Sequence, residues 1–140
     1  MTLKKSFELL ALLFSSAICY AQQNKNFICR DFRGEIILQL KLGTDSLFSG
    51  NFKQILGKEE FIVKKSEFTG VYRKNIFTAK FRKTPRPFNK NTKWTDKSWQ
   101  LVSPDRVDTL QVVFLVKDIT TGKWNEEEYD FIEEKGYNYF

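Results

Sequence analysis

Apolar and polar residues alternate with a period of two over most of this chain. From Glu35 to Leu42, Ile36, Leu38, Leu40 and Leu42 point one way while Glu35, Ile37, Gln39 and Lys41 point the other, as in a strand with one buried face. Phe48, Gly50 and Phe52 align in the same way between about Ser46 and Leu56, and Glu60–Lys64 reads as a short strand after them. Phe68, Gly70 and Tyr72 repeat the pattern in Phe68–Arg73, and Phe77, Ala79 and Phe81 repeat it in Ile76–Lys83. Trp99–Val102, Thr109–Lys117 and Trp124–Ile132 complete the set. No long window carries a helical period. Gly43-Thr44-Asp45, Gly57-Lys58 and Lys74-Asn75 supply turns. Pro85 and Pro87 mark a long loop to about Asp96, because proline has no N–H to give a central ladder.

Eight short strands with mostly tight connections predict an all-β chain, a small antiparallel up-and-down meander. Closing it into a barrel leaves no open edge, so a closed barrel is the expected form. A two-sheet sandwich gives the same alternation and stands as the alternative. A hydroxyl-Gly-x-aromatic motif recurs at Ser49-Gly50-Asn51-Phe52, Thr69-Gly70-Val71-Tyr72 and Thr121-Gly122-Lys123-Trp124. In the first two the glycine shares a face with the aromatic, where its missing side chain gives a ring room or lets the strand bend. The third belongs to a turn.

Residues 1–21 read as a signal peptide. Lys4 and Lys5 precede an apolar run from Phe7 to Ile18, and Ala21 stands before Gln22-Gln23, the order of a secretory leader. The run is interrupted by Glu8, Ser15 and Ser16 and is shorter than the ~20 residues of a membrane-spanning helix. Residues 22–140 are then one exported domain, periplasmic or secreted, with no transmembrane segment and at most a surface association. Removal of the leader leaves Cys29 as the sole thiol, which rules out an intrachain disulfide. That thiol either packs as a small hydrophobe or bridges two copies.

The net charge of +6 is unevenly distributed. Arg82, Lys83, Arg86, Lys90, Lys93 and Lys97 form a basic segment interleaved with Phe88, Trp94 and Trp99, whereas Glu126, Glu127, Glu128, Asp130, Glu133 and Glu134 lie near the C-terminus. Aromatic faces beside cations suit an anionic partner, although export and the modest total charge disfavour nucleic acid. The acidic run is expected to be solvated or to contact the basic segment. Histidine is absent, which removes the commonest general base and zinc ligand. Neighbouring carboxylates on a strand face opposite ways, so the acidic run does not make an acid–base pair. A non-catalytic binder without metal or cofactor is the expectation.

In order and spacing, Phe48-Ser49-Gly50-Asn51-Phe52, Phe68-Thr69-Gly70-Val71-Tyr72-Arg73, Phe77-Thr78-Ala79-Lys80-Phe81-Arg82, Thr92-Lys93-Trp94-Thr95, Leu110–Val116 and Trp124 with Asp130 resemble the avidin and streptavidin family of biotin-binding barrels. The resemblance implies a small apolar-bodied ligand in the barrel mouth, with Phe52, Thr78, Phe81, Thr92, Trp94, Phe114, Trp124 and Asp130 as ligand-binding residues. It also implies association into a homo-oligomer. Biotin is the named candidate, but Asp31 and Glu35 stand where the family has asparagine and serine, and a carboxylate at Glu35 repels the ureido oxygen. Whether Phe81 and Phe114 face a hollow or a filled interior decides whether such a pocket exists. The other reading is an exported module that binds an extracytoplasmic protein, such as an inhibitor of an envelope or extracellular hydrolase, through the loop from Arg82 to Lys97.

Overall fold

The computed structural model describes residues 23–31, 33–57 and 62–135; the leader expected at residues 1–21 lies outside them. Nine strands follow in chain order: β1 (Gln23–Asp31), β2 (Gly34–Leu42), β3 (Leu47–Leu56), β4 (Ile62–Arg73), β5 (Ile76–Phe81), β6 (Thr92–Trp94), β7 (Trp99–Val102), β8 (Thr109–Lys117) and β9 (Trp124–Glu133). Pairing from β1 to β5 is antiparallel between consecutive strands, β5 continues to β7, and β8 pairs with both β7 and β9. The circle closes where Ile28 of β1 meets Ile132 of β9. Two short strands share one flank of β8, with β6 opposite Phe114–Val116 and β7 opposite Thr109–Gln111. Nine strands therefore occupy eight positions in a closed antiparallel barrel, and the sandwich alternative falls away. Among the described residues the one helical piece is a 3-10 turn at Pro104–Arg106, and no helix is long and apolar enough to cross a membrane.

Three details depart from the sequence reading. β1 is a full strand that alternation did not reveal, because Phe27, Ile28 and Cys29 are consecutive buried residues rather than alternate ones. Ile62–Arg73 is one strand instead of two: its ladder to β3 runs from Leu56↔Ile62 to Leu47↔Val71. Backbone pairing thus carries the chain through the polar Lys64-Lys65-Ser66, where side-chain pattern gives no strand signal. β6 lies inside the segment expected to be loop.

The inward positions form one core that includes Phe27, Ile36, Leu38, Leu40, Phe48, Phe52, Phe68, Phe77, Phe114 and Phe131. Phe48 is the cross-strand neighbour of Gly70, and Phe68 that of Gly50. A Cβ on Gly50 would lie 2.4 Å from the Phe68 ring, and one on Gly70 would lie 2.7 Å from the Phe48 ring. Each glycine of the repeated motif thus holds the space that the partner strand's phenylalanine occupies. The third copy differs: Gly122 has φ 73° and its N–H donates to Asp118 O at 2.8 Å, so it closes the β8–β9 turn.

Cys29 is 8% exposed and faces this core. Burial, aided by Asp31, pushes its thiol up to about 11. A buried neutral thiol is a poor nucleophile. Cys29 is accordingly expected to resist iodoacetamide at pH 8 in the native protein and to react within minutes in urea, measured as mass added over time.

At the barrel end where β1 and β8 begin, Lys25 Nζ lies 2.8 Å from Asp108 Oδ2, and Ser103 Oγ donates to Asp108 Oδ1 at 2.7 Å. These bonds hold the Asp108 carboxyl down at about 2, against an ordinary value of 3.8. A depressed acid stabilises the fold above its unfolded value, and that contribution is lost as pH falls toward the folded one. Glu133 shifts upward through burial and the adjoining Asp108, so it acts in the opposite sense. Between pH 4 and pH 2 the urea midpoint of the wild type should fall more steeply than that of Asp108→Asn; equal slopes would contradict this assignment.

Candidate functional site

The other end of the barrel, where β1, β3 and β8 finish, is closed by the loop between β5 and β6. Phe88 in this loop has φ 59° and is 3% exposed. Gln54, at an inward position of β3, grips its backbone twice: Gln54 Nε2 donates to Phe88 O, and Phe88 N–H donates to Gln54 Oε1, both at 3.2 Å. The Arg33 guanidinium lies 4.1 Å from the centre of the Phe88 ring. Arg33 is held in turn by Asp31, with Nε 2.9 Å from Oδ2, and it donates to Thr92 Oγ1 at 3.3 Å and to Tyr129 Oη at 3.2 Å. Its guanidinium is shifted upward by the hydrogen bonds to Asp31 and Tyr129, against the desolvation that burial imposes. The strained loop conformation is thus fixed by two paired bonds, a stacked cation and burial of the ring.

Below this plug the rings are in contact. Phe88 and Phe114 centroids are 6.4 Å apart, Trp94 and Phe114 4.8 Å, Phe81 and Trp94 4.7 Å, and Phe52 and Trp94 5.9 Å. Such spacings are those of packed aromatic pairs. Side chains fill the interior here.

Five of the residues expected to bind a ligand lie in this aromatic end: Phe52, Thr92 and Phe114 are buried, and Phe81 and Trp94 are half-buried. The other three lie elsewhere. Thr78 alternates with the inward Phe77 and Ala79, is exposed, and shares a 2.8 Å hydrogen bond with Ser98 Oγ. Trp124 and Asp130 alternate with the inward Tyr129 and Phe131 on β9; Lys93 Nζ sits 4.3 Å over the Trp124 ring, and Asp130 is exposed beside Gln111. Asp31 and Glu35 are both paired, to Arg33 and to Arg30. Sequence reasoning missed Arg33, Gln54 and Tyr129, and named Phe88 only as one of the aromatics interleaved with the basic segment. A polar Gln54 continuing the inward series Phe48, Gly50, Phe52 was the available signal, since a buried amide needs partners.

All six cations of the basic segment are exposed. Lys97 Nζ reaches Glu126 Oε2 at 2.6 Å, and Arg82 is 3.9 Å from Glu67, so the basic segment does touch the acidic strand. Arg86, Lys90 and Lys83 make no ion pair among the described residues. The described residues also contain no group of three or more acidic or cysteine side chains arranged to hold a metal ion.

No family model, curated protein or solved structure matches this chain. The closed eight-position barrel is compatible with an avidin-like shape, and the functional reading rests on the site itself.

Proposed function

We propose that this chain is an exported, non-catalytic binding module that engages an extracytoplasmic protein through the basic face from Arg82 to Lys97. The observation that carries this reading is the filled aromatic end: Phe88 occupies the mouth between Arg33, Gln54 and Phe114, so the surface is where a partner meets the molecule. Arg86 and Lys90 stand exposed there, outside any ion pair among the described residues. Exposed unpaired cations accelerate and orient the approach of an acidic surface. An envelope or extracellular hydrolase with an acidic rim is a partner of the right chemistry.

The test is cross-linking of the exported protein to envelope proteins, with and without the double substitution Arg86→Glu and Lys90→Glu. The expected result is a discrete adduct that disappears in the double variant and at raised salt. An adduct unaffected by both changes would exclude the basic face.

A small-ligand reading, with biotin as its candidate, has one observation in its favour: the Phe88 loop is held by polar anchors that a ligand could take over. Entry would require Phe88 to leave. Calorimetric titration of the exported protein with biotin to high micromolar concentration is expected to show no saturable heat.

A further inference from the structure

The outer wall of the barrel carries opposite charge on opposite sides. Around the closed sheet β9 stands four positions from β4 in either direction, with β6 and β7 sharing one position. On the β4 side Leu47 and Val71 are cross-strand neighbours, and the rows above them toward the mouth carry Lys80 beside Thr69, then Arg82 beside Glu67, then Lys65. These side chains alternate with the inward Phe68, Tyr72, Ala79 and Phe81, so they point outward. On β9 the outward series from the same end is Ile132, Asp130 and Glu128, which alternates with the inward Tyr129 and Phe131. All of these outward residues are exposed.

Neither series is neutralised within its own wall. Lys65 and Lys80 make no ion pair among the described residues, and Arg82 reaches Glu67 only at 3.9 Å. Asp130 and Glu128 make none either, and their ladder neighbours on β8 are the uncharged Gln111 and Val113. Glu126, one row further, is already held by Lys97. The apolar rows match as well. Leu47 and Val71, 55% and 53% exposed, border a shallow depression of about 460 Å³, and Ile132 is 49% exposed on the opposite wall.

We infer that the β9 wall of one copy of this chain packs on the β4 wall of a second copy. Both strands run from the mouth to the far end, and outward side chains on each recur every two residues, about 7 Å apart. With β9 laid along β4, Ile132 falls at Leu47 and Val71, Asp130 at Lys80, and Glu128 at Arg82. Sheet faces pack with their strands close to aligned, and opposite charges in register select that arrangement. Both halves of the match lie on one chain, which makes a second copy the fitting partner. Because the two walls are different surfaces, the contact is heterologous: each copy keeps one wall open for the next, and growth continues into a ring or an open row. This contact leaves Arg86 and Lys90, in the loop after β5, available to another protein.

Sedimentation velocity of the protein over a concentration series is the test. Species larger than a dimer are expected to grow with concentration and to recede at raised salt, which screens exposed charges. Glu128→Lys with Asp130→Lys, and separately Lys65→Glu with Lys80→Glu, should each leave a monomer, because like charges then face each other. Mixing these two variants should restore association, since the reversed wall of one fits the reversed wall of the other. Ile132→Ser changes no charge and should weaken association severalfold. The salt series uses the unaltered protein, so misfolding of a variant leaves the test intact, and thermal melts identify folded variants for the mixing. A protein that stays monomeric or stops at a dimer, association that strengthens with salt, or folded variants that remain monomeric when mixed would each overturn the pairing of these walls.

Discussion

Gly50→Ala is expected to lower the stability of the domain by about 3 kcal/mol, the upper part of the range for overpacking a filled core. For a chain of this size that is a drop in Tm of roughly 12 °C. The added methyl would lie 2.1 Å from Gln39 O and 2.4 Å from the Phe68 ring. A flexible side chain would yield, but here one obstacle is the backbone of β2, fixed by its ladder to β3. The ring has little room either, since Phe68 is 5.4 Å from Phe81 and 5.3 Å from Trp99, centre to centre. Gly70→Ala meets Thr78 O at 2.1 Å and the Phe48 ring and should behave alike. Thermal melts of both variants beside Ser49→Ala, on the outward face of the same motif, provide the check. Equal melting of all three would show that the motif's glycines are not packing sites.

Phe88→Ala is expected to cost about 4 kcal/mol, as deletion of a buried phenylalanine ring does, and to release the loop that closes the mouth. Its ring contacts Phe114 and Tyr129 and lies under Arg33. Gln54→Leu should show the same event from its polar side. It keeps the apolar volume but leaves the Phe88 N–H and C=O without their partner, at roughly 1 to 3 kcal/mol for each unsatisfied group. Native-state hydrogen exchange separates loop release from global unfolding: amides of the loop, including Thr92 N–H on Asn89 O, should exchange much faster in both variants, while those of β2 and β3 keep their relative order. Uniform acceleration across the barrel would mean that the plug is part of the common core.

Much of the barrel was legible because the signal is local. The alternation of Ile36, Leu38 and Leu40, of Phe48 and Phe52, and of Phe77 and Phe81 directly reflects which side of a strand meets the core. β1 escaped because three successive residues are buried there, and β4 because partner pairing sustains a strand through lysines. The site was harder to read for a different reason. Thr78, Trp124 and Asp130 were chosen by resemblance of motif, yet alternation with Phe77, Tyr129 and Phe131 sets them on the outer face. Phe88 sits in a proline-flanked loop where no periodicity tells which residue turns inward, and Arg33 finds its ring partner 55 positions away. Contacts of that kind exist only once the barrel has closed.

The filled aromatic end separates a surface binder from a hollow-barrel carrier, and xenon tests it directly, because an apolar cavity in a protein takes up the gas. Crystals of the protein pressurised with xenon should show no ordered atom between Phe52, Trp94 and Phe114, while Phe88→Ala crystals should show one beneath the vacated ring position. An ordered xenon among those three residues in the unaltered protein would mean that the barrel is hollow and that its interior, rather than the basic face, is the place to look for a ligand.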